Sequence, residues 1–508
     1  MTDTVRALLD SGADDATALI APDGATLDYR GLRDVVDRLG RELSALGVVA
    51  SDRVAISVPN GPIAAIAFLA SASRAAAAPL NPKYREAEFE FYLKDLAPKV
   101  LIVAADSGEA VLAAAATVGV KVATVTGAMG GLTLGIAGAD NAGSPAEDTP
   151  DEDTPDEDSA GLLLHTSGTT SRPKVVPISQ RNLAQSARNI ATSLALTADD
   201  RSLNVMPLFH IHGLMAGLLA PLSVGATVVA TAGFDAFAFF NQLATFAPTY
   251  YTAVPTMHQM IIDRGQRRPE AAAAKLRFIR SSSASLPSSV LEQLEGLFGA
   301  PVLEAYGMTE ATHQMCVNPL PPGQRKPRSV GLPTGIKLAV LDESGSPVAA
   351  GSTGQVAIKG ATVVTHYQDN PQATADAFQH GWFLTGDEGY LDVDGYLYLT
   401  GRLKELINRG GEKISPLEID EALLRHESVG QAVTFAVAHR KLGEDVAAGV
   451  VLRPDAVVSE RELKDFLAQS LAAFKVPRSI VFLDELPKGA TGKLQRIGLA
   501  ERLGIGPW

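Results

Sequence analysis

The chain carries one cysteine, Cys316, in 508 residues. A lone thiol makes no intramolecular disulfide and no multi-cysteine metal site, so a reducing, cytoplasmic setting is expected. Basic charge is scarce as well: 44 Lys and Arg stand against 57 Asp and Glu, a net charge of −13. That sign repels phosphate backbones and anionic headgroups, and no local basic patch offsets it, so neither nucleic acid nor a membrane surface is an expected partner. Long apolar runs are also missing. Residues 62–80 come nearest, but they include Arg74 and several Ala and Ser, short of the ~20 strongly apolar residues a bilayer span requires. They are predicted as one buried helix. The start, with Asp3, Asp10, Asp14 and Asp15, lacks the basic-then-apolar order of an export signal, and the C-terminal residues lack a peroxisomal S-K-L.

Hydrophobic residues make up 46% of the chain, which excludes bulk disorder. At ~100–200 residues per domain the length accommodates two to four units. Leu32, Val35, Val36, Leu39, Leu43 and Leu46 recur at three- and four-residue spacing and predict an amphipathic helix. A strand is expected at 53–58, and β-branched runs at 100–103, 120–125 and 226–230 alternate with helical patterns such as 182–196. This rhythm marks the α/β class. Residues 146–159 repeat an acidic, proline-punctuated unit, which predicts a solvated linker. No other repeat appears. A boundary is expected at Gly401, where a strand pattern at 396–400 meets the charged turn GRLKELINRGGEK. Beyond it a helix at 417–424, strands at 432–437 and 447–452 and a helix at 460–474 predict a small α+β domain, dividing the chain into 1–401 and 402–508.

Five segments carry chemistry. LHTSGTTSRPK ends at Lys174; hydroxyls, a glycine and a cation are what a phosphate-holding loop needs, although Ser/Thr/Gly clusters are also ordinary loops. It is not a Walker A loop. AYGMTE puts Glu310 beside a hydroxyl and an aromatic ring, and one carboxylate beside nucleotide phosphates suits Mg²⁺. TGD presents Asp387, able to accept from ribose hydroxyls or to satisfy its own turn. Arg402 and Lys404 follow, with Gly410 and Gly411 as points of backbone freedom. ATGK presents Lys493, which in isolation reads as a surface lysine.

In this order and at these separations the segments TSGTTSRPK, YGMTE, TGD, GRLKELINRGGEKISPLEID and ATGK resemble the ANL superfamily of adenylate-forming enzymes. The resemblance implies a large N-terminal domain of stacked mixed sheets and a small mobile C-terminal domain. It implies that MgATP and a small carboxylic acid give an acyl-adenylate, from which coenzyme A displaces AMP. By that likeness Thr166, Ser167, Gly168, Thr169, Thr170 and Lys174 hold the outer phosphates, Thr309 meets the α-phosphate and Glu310 serves Mg²⁺. Ser283, Ala284, Ser285, Glu304, Ala305, Tyr306 and Gly307 surround the adenine, and Asp387 and Arg402 the ribose. Lys493 bridges carboxylate and α-phosphate, Lys404 is the hinge, and Gly410, Gly411 and Lys475 border the coenzyme A path. Two departures stand out: Ser171 and Val175 replace the usual glycines, and Val175 adopts φ > 0 only at a cost.

In PLFHIHGL, His210 and His212 are two apart and would share one face of a strand; the resemblance places His210 at the acyl pocket. Arg280, Ser281, Ser282, Ser283 and His313 add polar groups. The passages around them resemble the oxalyl-CoA synthetases of plants and yeasts, which implies a dicarboxylate whose second carboxylate is held by Ser283 and His313. A medium-chain fatty or aryl acid is the alternative, and a non-catalytic nucleotide sensor a distant one. A carrier-loading adenylation domain is disfavoured, because only 15 residues follow Lys493. Oligomeric state is left open.

Overall fold

The computed structural model describes residues 3–136, 154–166, 173–265, 274–487 and 495–508. Among them the strands form four sheets, and the chain is α/β as the sequence rhythm requires. Helix Tyr29–Ala45 begins where the Asp28 carboxylate accepts from the Gly31 N–H at 2.7 Å, an N-cap. It buries the periodic residues Leu32, Val35, Val36, Leu39 and Leu43. Helix Pro62–Arg74 is buried around nearly its whole circumference, the signature of a helix between two layers.

That helix is shorter than its sequence implied. Residues 76–79 leave it to form the strand Ala76–Pro79, parallel to Arg53–Ser57. Alanine runs have no apolar period, so pairing rather than pattern decides where helix gives way to strand.

One large sheet aligns Arg201–Asn204, Tyr250–Ala253, Phe278–Ser281 and Val302–Met308 in parallel, with His313–Val317 returning antiparallel to the last. The loops after these parallel strands therefore meet at one edge, where ligands of open α/β sheets bind. A second sheet holds Arg53–Ser57, Ala76–Pro79, Val100–Ala104 and Lys121–Thr126 in parallel, and ends in the hairpin of Ala160–Thr166 with Lys174–Ser179. Leu39, Phe68, Leu183 and Ile190 fill the space between the two, against Val54 and Ile56 on one side and Val228 and Leu303 on the other. A third sheet is a meander through Lys337–Leu341, Gly354–Lys359, Trp382–Leu391 and Leu397–Arg402.

The fourth sheet spans Ile407–Arg409 to Ser479–Phe482. Its interior, Ile407, Ile419, Leu423, Val446 and Leu463, is a cluster separate from those that end at Leu399. The helix expected to 474 is Glu460–Ala468; its capping box of Ser459 and Glu462 matches the pattern, and turns replace the remainder. The acidic segment also departs from a wholly solvated strip. Residues 146–153 lie outside the described residues, but Glu157 and Asp158 pair with Arg181 at 2.8 and 3.1 Å. No helix of the described residues is long and apolar enough to cross a membrane.

Candidate active site

The site is built on the hairpin of Val302–Met308 and His313–Val317. At Gly307 a Cβ would lie 2.0 Å from the His313 carbonyl oxygen, so only glycine lets the two strands approach. A tight turn, Thr309–Ala311, follows, and then Thr312 and His313 adopt φ of 50° and 90°. In the loop next door, after Phe278–Ser281, Ser283 has φ of 76°. Left-handed backbone costs a non-glycine residue about 1–3 kcal/mol, and such strain gathers at functional sites.

These strained residues border a polar cluster. His212 Nδ1 lies 3.0 Å from Ser283 Oγ and its Nε2 lies 2.6 Å from Thr252 Oγ1. The rings of His212 and His313 are 5.0 Å apart. Arg280, wholly buried, donates from Nη1 toward His212 Nε2 and Thr252 Oγ1, both at 3.3 Å, and from Nη2 to Gln314 Oε1 at 3.0 Å. The strand reading of PLFHIHGL is corrected here: Ile211–Leu214 is a short helix and His210 is its N-cap, with Nδ1 accepting from the His212 N–H at 3.3 Å. The two histidines therefore diverge, and His212, buried, is the one beside Ser283 and His313.

Asp387 organises a second cluster. Buried beneath the surface, it accepts from the Tyr306 hydroxyl and pairs at 3.0 Å with Arg402 Nε, its cross-strand neighbour. That carboxylate is the largest cause holding the Arg402 guanidinium above its ordinary pKa. Burial, followed by the Asp387 charge, pushes the Tyr306 phenol well up. Nearby, Glu310 is buried and accepts from the Tyr367 hydroxyl at 2.9 Å, while Lys174 Nζ sits 4.1 Å above the Tyr367 ring. Burial lowers the Lys174 pKa, the Glu310 charge opposes this and Lys404 adds to it. Val175 needs no left-handed backbone, because it is a buried strand residue paired with His165. This resolves the difficulty its sequence position raised.

Glu304 is buried two residues before Tyr306 on the same strand. It accepts from the Leu286 N–H at 3.0 Å, and burial raises its pKa to about 8. A carboxyl group raised in the folded state confers stability in full below its unfolded pKa near 4.5 and loses it as pH climbs toward 8. Glu304→Gln should therefore flatten the fall of melting temperature between pH 6 and 9, by roughly 2–4 °C relative to wild type; parallel melting-temperature profiles would refute the assignment.

The chain matches the AMP-binding enzyme family over residues 10–368 and the C-terminal domain of AMP-binding enzymes over 418–493. It belongs to the AMP-binding enzyme family. An oxalate–CoA ligase of Arabidopsis thaliana is 46% identical over 97% of this chain and 98% of its own length. An oxalate–CoA ligase of Saccharomyces cerevisiae is 40% identical over 89% and 87%. The crystal structure of ATP-bound MatB from Rhodopseudomonas palustris superposes with a TM-score of 0.88 at 29% identity, covering 99% of both chains. This AMP-binding enzyme is an AMP-forming acid–CoA ligase that works through an acyl-adenylate. ATP, a small carboxylic acid and coenzyme A fit it as substrates.

In this AMP-binding enzyme the other expected residues are dispersed. Ala284 and Ser285 are exposed on the loop beyond Ser283, while Ala305 lies buried within the hairpin. Gly410 and Gly411, φ 63° and 96°, turn the hairpin of Ile407–Arg409 and Glu412–Ile414, a conformation that calls for glycine. Lys475 is tied to Glu418 at 2.7 Å. Thr166 ends its strand facing Lys174, whereas Ser167, Gly168, Thr169, Thr170 and Lys493 lie outside the described residues. Sequence reasoning missed Tyr367 and Thr252 altogether. No local pattern marks a tyrosine 57 residues from the Glu310 it holds.

Proposed function

We propose that this ligase activates oxalate to oxalyl-CoA, with release of AMP and pyrophosphate. The observation that carries the reading is the cluster of Ser283, His212, Arg280 and His313: a dense set of hydrogen-bonding groups and one buried cation where a monocarboxylate with an apolar tail would need an apolar tunnel. The names of the Arabidopsis and yeast relatives support the same acid. Ser283 and His313 hold the second carboxylate in this reading. His210, at the helix start, borders the acid in this reading.

Lys174 and the loop 166–170 take the outer phosphates, Thr309 the α-phosphate, Asp387 and Arg402 the ribose. Tyr306, with Gly307 and the 283–285 and 304–305 segments, packs on the adenine. Glu310 fits Mg²⁺, because it is a single buried carboxylate next to the Thr309 hydroxyl and Mg²⁺ takes only one or two protein carboxylates beside phosphates; among the described residues no group of three acidic, His or Cys side chains forms a cage. When bound there, Mg²⁺ would supply positive charge beside the phosphates. Lys493 holds the attacking carboxylate against the α-phosphorus and stabilises the charge that develops there.

The domains divide as 1–401 and 402–508, with Lys404 the hinge about which the smaller one turns to withdraw Lys493 and admit the thiol. Gly410, Gly411 and Lys475 then border coenzyme A. The reaction takes place in the cytoplasm. Coenzyme-A-dependent AMP release with MgATP, measured across oxalate, malonate, acetate, octanoate and 4-coumarate, tests the acid. Strong preference for oxalate is expected; preference for octanoate or coumarate overturns the acid and leaves the ligase.

A further inference from the structure

Arg280 has no exposed surface, and a buried guanidinium is costly unless an anion pairs with it. Among the described residues no carboxylate forms an ion pair with it. Its hydrogen-bond partners are His212, Thr252 and Gln314, and its Nε–H meets no acceptor among the described residues. Burial brings its pKa down to about 9, which leaves it charged at neutral pH. The described residues thus bury a cation with no carboxylate paired to it.

The geometry also bears on protons. Arginine only donates, so the 3.3 Å contact of Arg280 Nη1 with His212 Nε2 calls for the tautomer whose proton sits on Nδ1, with Thr252 Oγ1, 2.6 Å from the same Nε2, donating to it. In that tautomer Nδ1, 3.0 Å from Ser283 Oγ, is a donor to it. The Ser283 hydroxyl proton is then left to donate elsewhere. The φ of 76° at Ser283 and 90° at His313 holds both residues in backbone that they adopt only under constraint.

We propose that Arg280 is the specificity-determining positioning residue for the acid: it locks His212 as an Nδ1–H donor, aims the Ser283 hydroxyl at the substrate, and supplies the buried positive charge that a second carboxylate neutralises. This rests on the reading of the pocket as the acid site. A monoanionic acid of equal size leaves the charge uncompensated. Selection for a dianion comes from an electrostatic mismatch with everything else, which is how buried charge produces specificity.

The decisive variant is Gln314→Glu. Nearly the same shape, it gives Arg280 an internal counter-ion, and the Ser193 and Thr334 hydroxyls, 2.8 and 3.2 Å from Gln314 Nε2, can turn to donate to the new oxygen. The full-length enzyme is assayed by coenzyme-A-dependent AMP release with oxalate and with glyoxylate, a two-carbon acid of single charge. In Gln314→Glu, and in Arg280→Gln where it folds, kcat/KM for oxalate should fall roughly 100-fold, mainly through KM, while glyoxylate changes less than ~3-fold. The KM for ATP should not move, and Arg280→Lys should restore part of the oxalate preference. Equal losses on both acids, or an undiminished preference for oxalate in a Gln314→Glu enzyme with normal ATP saturation, overturn the proposal alone. A wild-type enzyme that ignores oxalate overturns the acid reading and, with it, the role of Arg280.

Discussion

Lys493→Ala is expected to slow acyl-adenylate formation by roughly 10²–10³, the loss typical when one preorganised donor to a developing charge is removed. Negative charge accumulates on the α-phosphate oxygens as pyrophosphate departs, and only a cation already in place lowers that barrier without reorganisation. In the proposed mechanism the second half-reaction does not use it. Supplied with preformed acyl-adenylate and coenzyme A, the variant should make thioester at close to the wild-type rate. Wild-type pyrophosphate release from the variant would reject the role of Lys493, and a comparable loss in both half-reactions would point to a folding defect.

Asp387→Ala should raise the KM for ATP by roughly 100-fold, since a hydrogen bond from the ribose to a charged, buried carboxylate contributes about 1.5–3 kcal/mol; Arg402, with 48% of its side chain exposed, is screened by water and adds little. Three consequences are bundled in that change. The ribose loses its acceptor, Arg402 loses the anion it faces at 3.0 Å, and the Tyr306 hydroxyl loses the oxygen it donates to. Asp387→Asn separates them, because it keeps the shape and an acceptor for Tyr306 and removes only the charge; a rise of about 10-fold is expected, in line with a charge-assisted hydrogen bond being replaced by a neutral one. Pyrophosphate exchange measured against ATP concentration gives both values. Unchanged ATP saturation in the alanine variant would refute the assignment to the nucleotide.

How far these sites could be read from the chain depended on sequence distance. Helix Tyr29–Ala45 and strands such as Val100–Ala104 were legible because a local apolar period or a β-branched run specifies them. The signature segments were legible because small residues, hydroxyls and single charges cluster within a few positions. What was not legible is joined only by the fold. Tyr367 reaches Glu310, and His212 reaches Thr252, across separations of 57 and 40 residues. His210 and His212 look equivalent in a strand pattern, and a helix N-cap separates them. The alanines of 62–79 carry no period, so the switch from helix to the strand Ala76–Pro79 belongs to the sheet that recruits them. The positive φ of Ser283, Thr312 and His313 has no sequence sign at all, since none is a glycine.

Those three residues bear on how such an enzyme responds to selection for heat tolerance. Glycine at any of them relieves the backbone, but Thr312 is wholly buried with its hydroxyl donating to the Thr362 carbonyl at 2.7 Å, and His313 is buried beside His212, so only at half-buried Ser283 would a screen that rewards survival alone favour it. That replacement also removes a side chain of the proposed acid pocket. Robustness and turnover would pull in opposite directions at Ser283, where keeping serine exchanges resilience for chemistry.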